Sequence, residues 1–149
     1  MQEIKIHKWI LEVDVEKTYE QYKSAKWDLC DCTDCLNYYK AMNNPSEEQE
    51  ELFKKLGIIP SKCVHLSEYG PFEKGLHLYN GCYHIVGKIK EGEPVDTSSW
   101  NEENTADING FSFVFSNDLD FVPGSFPRPV LQMDFTVSIP WVIEEPYGQ

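Results

Sequence analysis

Leu76-His77-Leu78-Tyr79-Asn80-Gly81-Cys82-Tyr83-His84-Ile85-Val86-Gly87-Lys88-Ile89 is the stretch on which the reading of the fold turns. Asn-Gly between two alternating runs is a strong signal for a two-residue β-hairpin, because a type I′ turn needs positive φ at both central residues. The dipeptide predicts arms of roughly residues 76–79 and 82–89. A register follows. Tyr79 faces Cys82, Leu78 faces Tyr83, His77 faces His84, and Leu76 faces Ile85. Alternation then turns Leu76, Leu78, Tyr83 and Ile85 to the core and leaves His77, His84, Tyr79 and Cys82 on the other side.

Downstream, Leu131, Met133, Phe135, Val137, Ile139 and Trp141 share one parity, and Gln132, Asp134, Thr136 and Ser138 share the other. That order predicts a strand with one face buried and one face in water. Phe111, Phe113 and Phe115 alternate with small or shorter residues and read as a further strand. Residues 90–109 are acidic and turn-rich, and read as irregular. Upstream, Ile4 to Val15 reads as a strand whose parity changes at His7-Lys8, which predicts a bulge. A strand is expected at residues 62–67, followed by a loop at 68–74.

Two helices are expected. Cys35, Tyr38, Tyr39 and Met42 fall at i, i+3, i+4 and i+7, which places a helix over about residues 33–43. Ser46 and Gln49 form a capping-box pattern, acids fill the following turn, and Gly57-Ile58 reads as a Schellman stop, giving a helix over 47–56. Residues 16–26 are polar, with Tyr19 and Tyr22 three apart, and are compatible with one or two helical turns. The fold class is therefore α+β: a mainly antiparallel sheet of about five or more strands, with both helices on one face. At 149 residues the chain reads as a single domain, 1–149.

The five cysteines fall at 30, 32, 35, 63 and 82. An odd number, with three packed together, is a poor disulfide framework and points to reduced thiols in a cytoplasmic compartment. No stretch is apolar enough for a membrane helix, and the first residues lack the pattern of a secretory signal. Cys32-x-x-Cys35 has the short spacing of zinc ligands, but no second Cys-x-x-Cys or His-x3–5-His pair follows. In the predicted hairpin, His77 and His84 stand about 5.5 Å apart or less at Cα. Cys30, Cys32, Cys35, His77 and His84 are accordingly the candidate zinc ligands, provided that the fold brings helix and hairpin together. A redox reading of Cys32-x-x-Cys35 is opposed by Asp28, Asp31 and Asp34, which disfavour thiolate. Asn117-Asp118-Leu119-Asp120 lacks the glycine and the bidentate glutamate of a calcium loop and reads as a turn.

The formal net charge is −12. Residues 91–149 carry eleven acids against Arg128 alone, and residues 1–90 carry fourteen acids against twelve lysines. Such a field disfavours nucleic acid and anionic membranes and favours a basic protein partner or a cation. No phosphate loop, nucleophile elbow or zincin motif occurs. The leading expectation is a small acidic non-enzymatic protein-binding module, an inhibitor or immunity-type partner of a basic protein docking on residues 91–149. The alternatives are a zinc-binding domain built on the cysteine cluster with His77 and His84, and an enzyme of a class that these motifs do not reveal.

Cys30-Asp31-Cys32-Thr33-Asp34-Cys35-Leu36-Asn37-Tyr38, followed by Leu56-Gly57-Ile58 and Tyr79-Asn80-Gly81, resembles a segment of small cytosolic proteins of Firmicutes. The likeness covers roughly residues 27–89. It implies a small bacterial cytosolic protein and carries no activity.

Overall fold

The computed structural model describes residues 1–24, 27–72, 75–96 and 98–147. The strands are β1 (Gln2–Ile6), β2 (Trp9–Val13), β3 (His65–Phe72), β4 (Leu76–Glu91), β5 (Ala106–Ile108), β6 (Phe111–Ser116) and β7 (Val130–Pro140). They form a seven-stranded antiparallel sheet in the order β1-β2-β4-β7-β6-β5, with β3 also paired to β4. Three helices, α1 (Val15–Ser24), α2 (Thr33–Ala41) and α3 (Glu47–Leu56), precede β3. The α+β class is as expected, with one helix more. No helix among the described residues is long and apolar enough to cross a membrane.

The decisive correction is at Asn80-Gly81. No turn forms there, and β4 runs unbroken for 16 residues. Asn80 lies between Ser67 of β3 and Thr136 of β7, and Gly81 lies between Leu66 and Phe135. Neighbours on both edges supply backbone partners along the strand, and that pairing outweighs the local turn preference. Gly81 is needed for close approach instead. A Cβ there would stand 2.5 Å from the His65 carbonyl oxygen and 2.8 Å from the Phe135 ring.

The face assignment changes with it. Along a continuous strand, His77, Tyr79, Tyr83 and Ile85 share one side, and Leu78, Asn80, Cys82 and His84 share the other. His77 and His84 therefore lie on opposite faces, about 23 Å apart along the strand. A two-residue hairpin does form at His7-Lys8, where a bulge is expected. Ile6 pairs with Trp9, and His7 has φ 53°. Another closes at Asn109-Gly110, with Ile108 paired to Phe111, inside a segment read as irregular. Residues 65–72 form strand where residues 68–74 are expected to loop, although Glu73 and Lys74 lie outside the described residues.

The helices cover the face that carries Tyr79, Tyr83, Phe111, Phe135 and their neighbours. Tyr38 of α2 stacks on Phe135, and Phe53 of α3 meets Phe111 and Tyr83 edge-on. The α3 punctuation is as read. Ser46 and Gln49 close a capping box, and Gly57 ends the helix in the left-handed conformation with Ile58 bonded back to Phe53. Helix α2 is keyed by Asn37, whose amide nitrogen donates to the Tyr79 hydroxyl and the Pro140 carbonyl, while its oxygen accepts from the Val142 amide. These bonds fix the start of α2, and with it the cysteine segment, against β4 and β7.

Candidate metal centre

Helix α2 begins at Thr33, with Cys32 in an extended conformation at its N-cap. Cys35 then falls in the first helical turn and points inward, while Cys30 and Cys32 remain exposed. The three sulfur atoms all lie within 4.8 Å of one another, and the Cys30 and Cys32 sulfurs are 3.2 Å apart. Zinc–thiolate bonds of about 2.3 Å in a tetrahedron put sulfurs about 3.8 Å apart, so small rotations of the side chains suffice to close three thiolates on one ion. All five cysteines are free thiols.

The environment tunes the three thiols differently. The Cys32 backbone amide, followed by the Cys32 and Cys35 side chains, bonds to Cys30 and holds it below the usual thiol range. Burial pushes Cys35 well above that range, and hydrogen bonds with Cys30 and Cys32 add to the effect. The acids nearby, Asp31 among them, oppose a bare thiolate cluster but are compatible with a bound cation.

Neither histidine joins the thiols. His77 and His84 are removed from the ligand set expected from the sequence, because the unbroken β4 sends them to different faces. On the helix face, Nδ1 of His77 lies 2.7 Å from Oε2 of Glu68, with both side chains 5% exposed. Glu68 Oε1 accepts from the Gly70 amide and from the Tyr147 hydroxyl, and the His77 ring packs against Trp141 and Tyr147. This group pins the chain after β7 to the sheet. Among the described residues no other histidine, cysteine or acid completes the three-thiol cluster.

No family model, no curated protein and no solved structure matches this chain. The functional reading therefore rests on the chemistry of its own side chains.

His84 belongs to a second polar group, on the face away from the helices. Its Nε2 meets Gln132 Oε1 at 3.0 Å, so Nε2 carries the proton and Nδ1 is an acceptor without a partner among the described residues. Gln132 Oε1 also accepts from the Asp120 amide, and Gln132 Nε2 donates to Asp134 Oδ1 at 2.8 Å and to Asp120 Oδ2 at 3.3 Å. Burial lowers the His84 pKa. Burial also pushes the Asp134 carboxyl up to about 6; the Gln132 bond opposes this, and Asp120 and Asp118 add to it. The β7 alternation places Gln132 and Asp134 on the outer face, as expected, but they are buried rather than in water. The Asp120 amide and carboxylate bond to Gln132, and Trp100 and Phe121 line the same cavity; nothing in the strand pattern foretells these neighbours.

Proposed function

We propose that this chain is a zinc-binding domain whose protein ligands are Cys30, Cys32 and Cys35. The observation that carries the reading is the convergence of three thiols from a loop and a helix start within 4.8 Å. Soft thiolate donors suit zinc, and three protein ligands leave one tetrahedral position open to water or to an outside donor. The exposure of Cys30 and Cys32 puts that open position on the solvent side. The bound ion links the 27–35 segment to α2 and offsets the local negative charge.

Elemental analysis of untagged protein tests this. One zinc per chain is expected, lost in Cys32→Ser and Cys35→Ser and retained in His77→Ala and His84→Ala. Substoichiometric zinc that Cys32→Ser leaves unchanged removes the proposal.

A second reading, a non-enzymatic acidic module for a basic protein, has its own supporting observation. Among the described residues, none of the acids beyond residue 90 makes a salt bridge. With no such salt-bridged cation beside them, their charge can steer association with a positive surface. Recovery of a basic partner at low salt that high salt releases supports this reading, and failure to recover one counts against it.

A further inference from the structure

The outer face of the sheet holds a cavity of about 510 Å³, a size typical of small-ligand sites. Its floor is formed by β3, β4 and β7, and its rim by Trp100 and the 118–121 loop. Two carboxylates reach it, Asp134 and Asp120, both held by the single Gln132 amide nitrogen. That shared donor fixes two like charges close together. No lysine or arginine lines the cavity among the described residues.

Asp134 is 6% exposed, and among the described residues its Oδ2 has no hydrogen-bond partner. Each remaining polar atom of Gln132 is already occupied, so the chain offers this oxygen no donor from that side. The Trp100 indole N–H, at the same cavity, also lacks an acceptor among the described residues. Around this polar centre stand aromatic rings. Phe121 stacks on His65 at 4.1 Å yet remains 63% exposed, and Tyr69 is 64% exposed. Large aromatic groups left in solvent beside an uncompensated buried carboxylate make the surroundings that an organic cation favours: charge at the base, ring faces along the stem.

We infer that this cavity binds an organic cation, an alkylammonium or guanidinium group on an apolar stem, with Asp134 and Asp120 taking the charge and Phe121 and Trp100 flanking the stem. The inference is independent of the thiol cluster. The cation has two possible sources with the same chemistry, a free amine or the lysine or arginine side chain of a partner.

The test is a titration of the full chain at low salt, read by backbone amide and Trp100 indole N–H chemical shifts. The probes are n-butylammonium, agmatine, N-acetyl-lysine amide and, as the neutral control, n-butanol. Saturable binding of a cationic probe is expected, with n-butanol silent. Asp134→Asn should weaken it about 10- to 100-fold, the range of a lost charged hydrogen bond. Phe121→Ala, at an exposed position, tests the same site in a variant with little cause to misfold and should weaken binding severalfold. Cys32→Ser should bind as the parent does, which separates this site from the metal reading. Preference for the free amines assigns a small-molecule ligand, and preference for the lysine amide assigns a partner side chain. No saturation by any cationic probe, or equal binding by Asp134→Asn, overturns the inference.

Discussion

The Tyr22 hydroxyl serves both backbone groups of His84, donating to its carbonyl and accepting from its amide, each at 2.8 Å. The arrangement answers a gap in the sheet. On one edge of β4, β3 pairs as far as Cys82 and β2 takes over at Gly87. Between them α1 stands in for a strand. Tyr22 fills His84, the Thr18 hydroxyl accepts from the Val86 amide at 2.9 Å, and the Asp14 amide donates to the Val86 carbonyl.

Tyr22→Phe keeps the ring and removes the hydroxyl that bonds two buried backbone groups. Each orphaned group costs about 1–3 kcal/mol, so a loss of about 2–6 kcal/mol is expected in urea unfolding. Thr18→Val should cost about half as much, since it orphans only the Val86 N–H. A loss below about 0.5 kcal/mol for Tyr22→Phe would mean that water takes over the gap.

The dipeptide Asn-Gly occurs twice, at 80–81 and at 109–110, and it turns only at the second. Both φ values there are positive, 51° and 88°. At Gly110 an added Cβ meets nothing within 4 Å, so Gly110→Ala should cost about 1–2 kcal/mol of backbone strain alone. Gly81→Ala drives a methyl into the β3 backbone and the Phe135 ring. It should cost more than about 3 kcal/mol or prevent folding. Comparing the two unfolding free energies checks the difference in role, and equal costs would contradict it.

That contrast also shows what the sequence could disclose. Signals carried by neighbours in the chain were legible: the capped helix α3, the period of α2, the alternation of β7 and the clustering of Cys30, Cys32 and Cys35. Signals that depend on partners far along the chain were not. Asn80-Gly81 is overridden by β3 and β7, whose flanks alone do not reveal that they meet there. Helix α1 buries only Thr18 and Tyr22, and its main task is performed by those two side chains on backbone more than sixty residues away. Once β4 is read as unbroken, the proposed meeting of His77 and His84 dissolves. The Gln132–Asp134 group had one visible clue, two polar side chains on one parity of a strongly apolar strand.

Asp134 should make stability depend on pH in a defined direction. Its folded pKa, about 6, lies above the unfolded value of about 3.9. The folded state therefore holds the proton more tightly, and the associated stability is full below about pH 4 and is lost as pH rises through about 6. The groups nearest the carboxyl are Gln132 and Asp120, with Asp118 contributing at longer range and Cys82 and His84 on the neighbouring strand. From the two pKa values the loss is at most about 3 kcal/mol. Asp134→Asn removes this dependence. Relative to the parent, its unfolding free energy should improve by about 1–3 kcal/mol between pH 4 and pH 8. Urea denaturation of both proteins across that range checks it, and parallel curves would show that Asp134 does not titrate as described.

The three-thiol site predicts a linked dependence on metal and pH. Zinc binds thiolate, so binding must displace the proton that burial holds on Cys35. Cys30, already held low by the Cys32 amide, contributes less to that cost. Affinity should thus rise with pH, with proton release on binding measurable by calorimetry in buffers of different ionisation enthalpy. An ion present at about 100 times its dissociation constant stabilises the fold by about 2.7 kcal/mol. For a chain of this length that corresponds to a Tm about 5–10 °C higher. Chelator should remove this gain at pH 8 and have progressively less to remove as pH falls. Cys35→Ser should melt at one temperature with or without chelator, because the ligand fixed by α2 is gone. If the parent also melts identically under both conditions at pH 8, the sulfurs converge without holding zinc, and the cluster is a packing feature of the α2 entrance.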